Sequence, residues 1–186
     1  MKTHKTIFDP HFKIEPTDSE YSYQNELTPK LDNYDKPFDQ AHINEIVLWK
    51  VNRYAEVDEE TLNLINSIDP NSAELDVEKT TAILMGLLRT KGIQLPMAST
   101  ILRFRNKHVY QIIDQRVYRI INPNQTLEIR SYQSDKNREE QIDLYIRYLN
   151  DLKAACLRHA IPFDDADRIL YMADRRINKT VSLGNY

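Results

Sequence analysis

Over most of the chain from Phe38 onward, apolar residues return every three or four positions. That spacing places them on one face of a helix and commits the chain to helix-on-helix packing around one core. In AHINEIVLWKVNRY, Ile43, Ile46, Val47 and Val51 form one stripe, with Trp49 and Tyr54 at its margins. Asp58 is placed to cap a short helix carrying Leu62, Leu64 and Ile65, which Asp69-Pro70-Asn71 ends. A longer helix is predicted over Ser72 to Thr90, with Leu75, Ile83, Leu84, Leu87 and Leu88 facing inward and Gly92 at its stop.

Pro96 falls where the first turn of a helix tolerates proline, and Met97, Ala98, Ile101 and Leu102 supply that helix's apolar side. Two helices are thus joined by a tight hairpin. Val109 to Ile121 mixes β-branched and aromatic residues and Leu127 to Tyr132 alternates weakly, which leaves room for a small strand pair near 117–132. Ser134 or Asp135 opens a long helix to about Ala160, with Ile142, Tyr145, Leu149, Leu152 and Cys156 on one face, and a last helix covers Asp164 to about Ile177. The predicted fold class is mainly α. Pro10, Pro16, Pro29 and Pro37 interrupt residues 1–38, read as an irregular arm, ahead of one helical domain over 39–180 and a tail over 181–186.

The charge balance narrows the partners. Net charge is −3, yet Lys and Arg outnumber Asp and Glu 7 to 1 over residues 86–120, whereas residues 1–85 are acidic and 121–186 balanced. Arg89, Lys91, Arg103, Arg105, Lys107, Arg116 and Arg119 make a footprint for a polyanion if the fold gathers them on one face. Three glycines in the whole chain leave no Gly-rich phosphate loop or dinucleotide fingerprint, so no nucleotide cofactor is expected. Cys156 is alone and five histidines are dispersed, so neither a disulfide, a metal site nor an iron–sulfur cluster is expected. Without an apolar run of membrane-spanning length, a soluble protein of the reducing cytoplasm is the expectation.

The stretch from Leu87 to Ile121 carries the chemistry. A helical hairpin presents free backbone N–H groups at the start of its second helix, where the dipole favours an anion such as a DNA phosphate. Asp114 follows Ile112-Ile113 and precedes QRVYRII, the position of an N-cap whose accepted N–H bonds hold a carboxylate ionised. Beside a bound sugar such a carboxylate stabilises the oxocarbenium-like centre that forms as a glycosidic bond breaks, or orients the attacking water.

KGIQLPMASTIL resembles the hairpin of the helix-hairpin-helix DNA glycosylases, with Gly92, Ile93, Ala98 and Leu102 at matching positions. Asp114, Val117 and Arg119 are similar to the family's second signature, at a similar separation from the first. WKVNRY and DDADRILYMADRRIN further resemble a bacterial branch of this superfamily that carries a proline in the hairpin helix. The resemblance implies a helical, bundle-like glycosylase fold. It also implies a flipped nucleotide whose sugar is supported by Asp114 as the catalytic residue, and a DNA backbone met by Lys91, Gly92, Ile93, Gln94, Arg103, Arg105 and Arg116.

Two departures shape the expectation. Gln94 stands where the family has its second hairpin glycine, which would be strained if that position took a positive φ. Pro96 stands where bifunctional members carry a Schiff-base lysine, which leaves a monofunctional hydrolase without a metal or organic cofactor. Tyr54, Tyr110 and Tyr118 are candidates to line a base pocket, since a flipped base needs flat π-faces; core packing is the competing duty for each. The alternatives are a non-catalytic DNA-binding or protein-interaction module on the same scaffold, and an enzyme acting on RNA or a nucleoside.

Overall fold

Aspartate and serine caps set most of the helix starts. In the computed structural model, which describes residues 24–51, 55–123, 125–130 and 132–183, the side chains of Asp39, Asp58, Asp76, Asp114 and Ser134 each accept a backbone N–H from the first turn of the helix that follows. The described residues hold eight α-helices: α1 (Leu27–Asp32), α2 (Gln40–Lys50), α3 (Glu59–Asn66), α4 (Val77–Arg89), α5 (Leu95–Arg105), α6 (Gln115–Ile121), α7 (Asp135–His159) and α8 (Ala166–Ile177). None of them is long and apolar enough to cross a membrane. The protein is mainly helical, as its periodicity predicts.

The chain divides into two units, residues 1–54 and 55–186. The first contains α1, a helix within the stretch expected to be irregular, and α2. Trp49 of α2 donates its indole N–H to Thr28 Oγ1 of α1 at 2.8 Å, and Lys30 of α1 pairs with Glu45 of α2. The division therefore falls after α2, whereas the sequence suggested an arm ending before it. Residues 1–23 of that arm lie outside the described residues.

The second unit is built on α4, which packs against α3, α5 and α7 and buries Ile83, Leu84, Leu87 and Leu88. Leu95, Ala98 and Leu102 of α5, Ile142, Tyr145, Leu149 and Leu152 of α7, and Ala166 and Leu170 of α8 complete the same core. α4 starts later than predicted, because Asp76 caps it while Ser72 lies in the turn that Asp69 opens. Where α3 passes α4, Gly86 is required by space: a Cβ there would lie 2.2 Å from Thr61 Oγ1.

The expected strand pair near 117–132 is absent among the described residues. Val117 and Tyr118 are buried on α6, since the β-branched residues of QRVYRII also recur at helical spacing. Beyond it, residues 125–130 have no regular secondary structure. The carbonyls of Arg130 and Tyr132 accept instead from the Asn137 side chain of α7, at 3.0 and 2.7 Å.

Candidate functional site

The hairpin between α4 and α5 closes as its sequence suggests. Gly92 takes φ +87° and is exposed, with nothing near enough to meet a side chain, so its glycine answers to backbone conformation alone. Gln94 is extended, at φ −107° and ψ 169°, which any residue adopts, and the strain anticipated there does not arise. Its side chain makes no capping bond, and Pro96 removes one donor from the first turn of α5. Lys91, Gly92 and Gln94 are exposed at the tip, while Ile93 is buried beneath it and ties its N–H to Thr90 O.

Asp114 is half-buried at the N-cap of α6, with Oδ1 accepting the Arg116 N–H at 2.7 Å and Oδ2 unpartnered among the described residues. The segment before it is held without regular secondary structure. Gln111 O accepts from Tyr145 Oη at 2.9 Å and Ile112 O from Tyr148 Oη at 2.7 Å. Ile112 N–H donates to Asp167 Oδ2 at 3.2 Å and Ile113 N–H to Ser99 Oγ at 3.1 Å. Four backbone groups are thus each satisfied by a buried side chain, which fixes the approach to Asp114 as firmly as a sheet ladder would. Burial pushes the Tyr145 and Tyr148 hydroxyls well above the usual tyrosine pKa, so both stay neutral donors.

Ser99 joins this segment to the hairpin. Its hydroxyl donates to Pro96 O at 2.8 Å while accepting from Ile113, so the first turn of α5 and the residue preceding Asp114 are linked through one atom. The two sequence signatures are therefore neighbours in space.

Of the cations expected at a DNA backbone, Lys91 is exposed at the hairpin tip, whereas Arg103, Arg105 and Arg116 have partners within the fold. Arg103 is buried: it donates to Asp164 O at 3.0 Å and lies 3.7 Å from Asp167, where it offsets the charge of the carboxylate that holds Ile112. Arg105 caps α3, donating to Ile65 O and Asn66 O at 3.2 and 2.9 Å. Arg116 and Arg119 converge on the fully buried Asp174 of α8, with Arg119 bidentate at 2.7 and 2.8 Å and Arg116 at 3.1 Å. Burial drives the Asp174 carboxyl up, but hydrogen bonds from Arg119, Asn178 and Arg116 outweigh it and hold the group below its usual value. Those bonds to Asp174 raise the Arg119 pKa in turn, and the charges of Asp174 and Asp114 add to the effect.

Of the aromatic candidates, Tyr54 lies outside the described residues. Tyr110 is buried, with its hydroxyl 2.9 Å from Thr80 Oγ1, and its ring borders a cleft of about 160 Å³ lined also by Asp69, Asp76 and Lys79. Tyr118 is buried against Tyr148, with ring centroids 6.4 Å apart. A second recess lies between the hairpin and the segment before α7, lined by Ile93, Gln94, Arg130 and Tyr132. Neither includes Asp114.

Sequence reading missed Ser99, Gln111, Asp167 and Asp174 as positioning residues. The signal was present in α8: Asp167 and Asp174 share the spacing of Leu170, so two carboxylates stand on the face that must be buried. Cys156 is buried and its thiol pKa is raised by that burial, the environment of an unreactive cysteine. The chain has no significant match to a protein-family model, a curated protein or a solved structure.

Proposed function

We propose that the protein hydrolyses the N-glycosidic bond of a damaged or modified base in DNA, on a scaffold of the helix-hairpin-helix glycosylase kind, with Asp114 as its catalytic residue. The observation that supports this reading most is the Ser99 link, which ties the residue before a half-buried carboxylate, one of whose oxygens is unpartnered among the described residues, to the first turn of the hairpin helix. The rigid approach to Asp114 is what an electrostatic role requires, because a carboxylate stabilises a forming cation only when it is already in place.

In the proposed reaction the base leaves with the electron pair of the glycosidic bond, and positive charge develops on the sugar at C1′. The Asp114 carboxylate stabilises that charge. Water adds its oxygen to C1′, and the proton it loses passes by way of solvent to the departed base, which is released neutral. Pro96 supplies no amine, so no Schiff base forms at that position and the strand is left intact.

Release of free base from duplexes carrying a panel of lesions tests the reading. Asp114→Asn keeps the cap's shape and removes its charge; a drop in the single-turnover rate of at least about 100-fold is expected, as for loss of one strong electrostatic group. Equal rates in the two proteins refute it.

A second reading, a binding module without catalysis, is favoured by one observation: neither described recess includes Asp114, and Arg103, Arg105 and Arg116 are engaged inside the fold. Salt-sensitive DNA binding with no base release on any lesion would establish it.

A further inference from the structure

Four of the seven cations of the middle segment, Arg103, Arg105, Arg116 and Arg119, are engaged within the fold, and a further exposed cluster of cations lies at and just beyond the end of α8. Arg175, Arg176 and Lys179 are exposed, and none pairs with a carboxylate among the described residues. The acid in their midst, Asp174, is buried beneath them and bound by two guanidinium groups, so that cluster is itself cationic. The whole segment 121–186 is neutral by count, and this conceals the patch.

The patch adjoins the Asp114 site. Arg116 connects them: its N–H holds Asp114 Oδ1, while its guanidinium carbon lies 5.7 Å from the centre of the half-buried Tyr171 ring. Arg175 lies 6.0 Å from the same ring. Tyr171 therefore orders two guanidinium groups by cation–π attraction, that of Arg116, which also pairs with Asp174, and that of Arg175 on the exposed end of α8. Ordered guanidiniums lose less freedom when they bind phosphate bidentately than free ones do.

We propose that Arg175, Arg176 and Lys179, with Arg175 ordered on the Tyr171 ring, form the surface that grips the phosphate backbone of the DNA strand entering the Asp114 site. This rests on the reading of the chain as a protein acting on DNA. It moves the principal phosphate contacts from the hairpin's basic flanks to α8. The competing role for Arg175 and Arg176 is to complement the helix dipole at the α8 C-terminus, which favours cations there with or without DNA.

The test is binding of the full chain to a fluorescent duplex containing an abasic-site analogue, measured across a salt series. Compared are wild type, the triple variant Arg175→Ala/Arg176→Ala/Lys179→Ala, the charge-keeping Arg175→Lys/Arg176→Lys, and Lys153→Ala on α7 as a single removed charge elsewhere. Each phosphate contact contributes about 0.9 to the slope of log affinity against log salt, so the triple variant should be shallower by about 2 to 3. The lysine variant should keep the slope, and Lys153→Ala should leave it unchanged. A triple variant with a wild-type slope overturns the proposal, and a lower melting temperature alongside that slope assigns the arginines to the helix end alone. Displacement of the duplex by polyglutamate as readily as by unlabelled DNA, charge for charge, also overturns it, in favour of an acidic protein partner. Base release with an unaltered slope defeats this surface and leaves the enzymatic reading standing. A reduced slope without base release supports the surface and defeats the catalysis, and a wild-type chain that binds no DNA defeats both.

Discussion

Replacing Ser99 with alanine tests whether the approach to Asp114 is positioned by the hairpin helix. Ser99 is fully buried, and its Oγ is the acceptor for the Ile113 N–H at 3.1 Å. Alanine fits the same space but leaves that amide buried without a partner, a loss of about 1–3 kcal/mol. The other bond, to Pro96 O, adds little, because Thr100 Oγ1 donates to the same carbonyl at 2.7 Å. For a chain of this size each kcal/mol lowers the melting temperature by about 2–4 °C, so a fall of roughly 2–12 °C is expected by calorimetry. Thr100→Val is the control: it removes the redundant donor, and should cost less than about 0.5 kcal/mol. If the proposed chemistry holds, Ser99→Ala should also slow single-turnover base release by about 10- to 100-fold, the effect of a carboxylate displaced by up to an ångström. A Ser99→Ala protein that melts with wild type, or that melts lower only as much as Thr100→Val, refutes the argument that this hydroxyl fixes the segment.

Three further outcomes follow from the packing. Asp174→Asn should destabilise by about 3 kcal/mol at neutral pH in urea denaturation, toward the lower end for a broken buried pair because Arg116 and Arg119 keep some access to water. The folded-state pKa of Asp174 lies below the ordinary value of 3.8, so the stability it contributes is fully present above that value and is lost as pH falls further, through the folded-state pKa. The gap between wild type and Asp174→Asn should therefore narrow in strong acid, and a gap that widens there contradicts the assignment. Gly86→Ala should destabilise by about 1–3 kcal/mol despite alanine's better helix propensity, since its Cβ would collide with Thr61; an unchanged or raised melting temperature would show that α3 and α4 are less closely packed.

From α2 onward the helices, the caps at Asp58, Asp114 and Ser134, and the hairpin were legible in the sequence because each depends on residues a few positions apart, whereas α1 and the caps at Asp39 and Asp76 were not read. Asp58 bonds to Thr61, Asp114 to Arg116 and Ser134 to Asn137, and Gly92 takes its positive φ within a turn of four residues. A carboxylate at position 114 ahead of QRVYRII caps a helix wherever that segment folds. What α8 contributes was not legible in the same way. Arg103 finds its carbonyl partner 61 positions away, Arg116 its carboxylate 58 away, and Ile112 its acceptor 55 away. An arginine has the same local propensity whether it meets solvent, a phosphate or a buried aspartate, and only the packing of α6 and α5 against the last helix chooses among them. The sequence by itself determined a mainly helical chain with a glycine-turned hairpin and a capping aspartate. The tertiary structure alone decided that Arg103, Arg105, Arg116 and Arg119 are internal supports while Arg175, Arg176 and Lys179 face water at and just beyond the end of α8, because charge is distributed by contacts made across the fold.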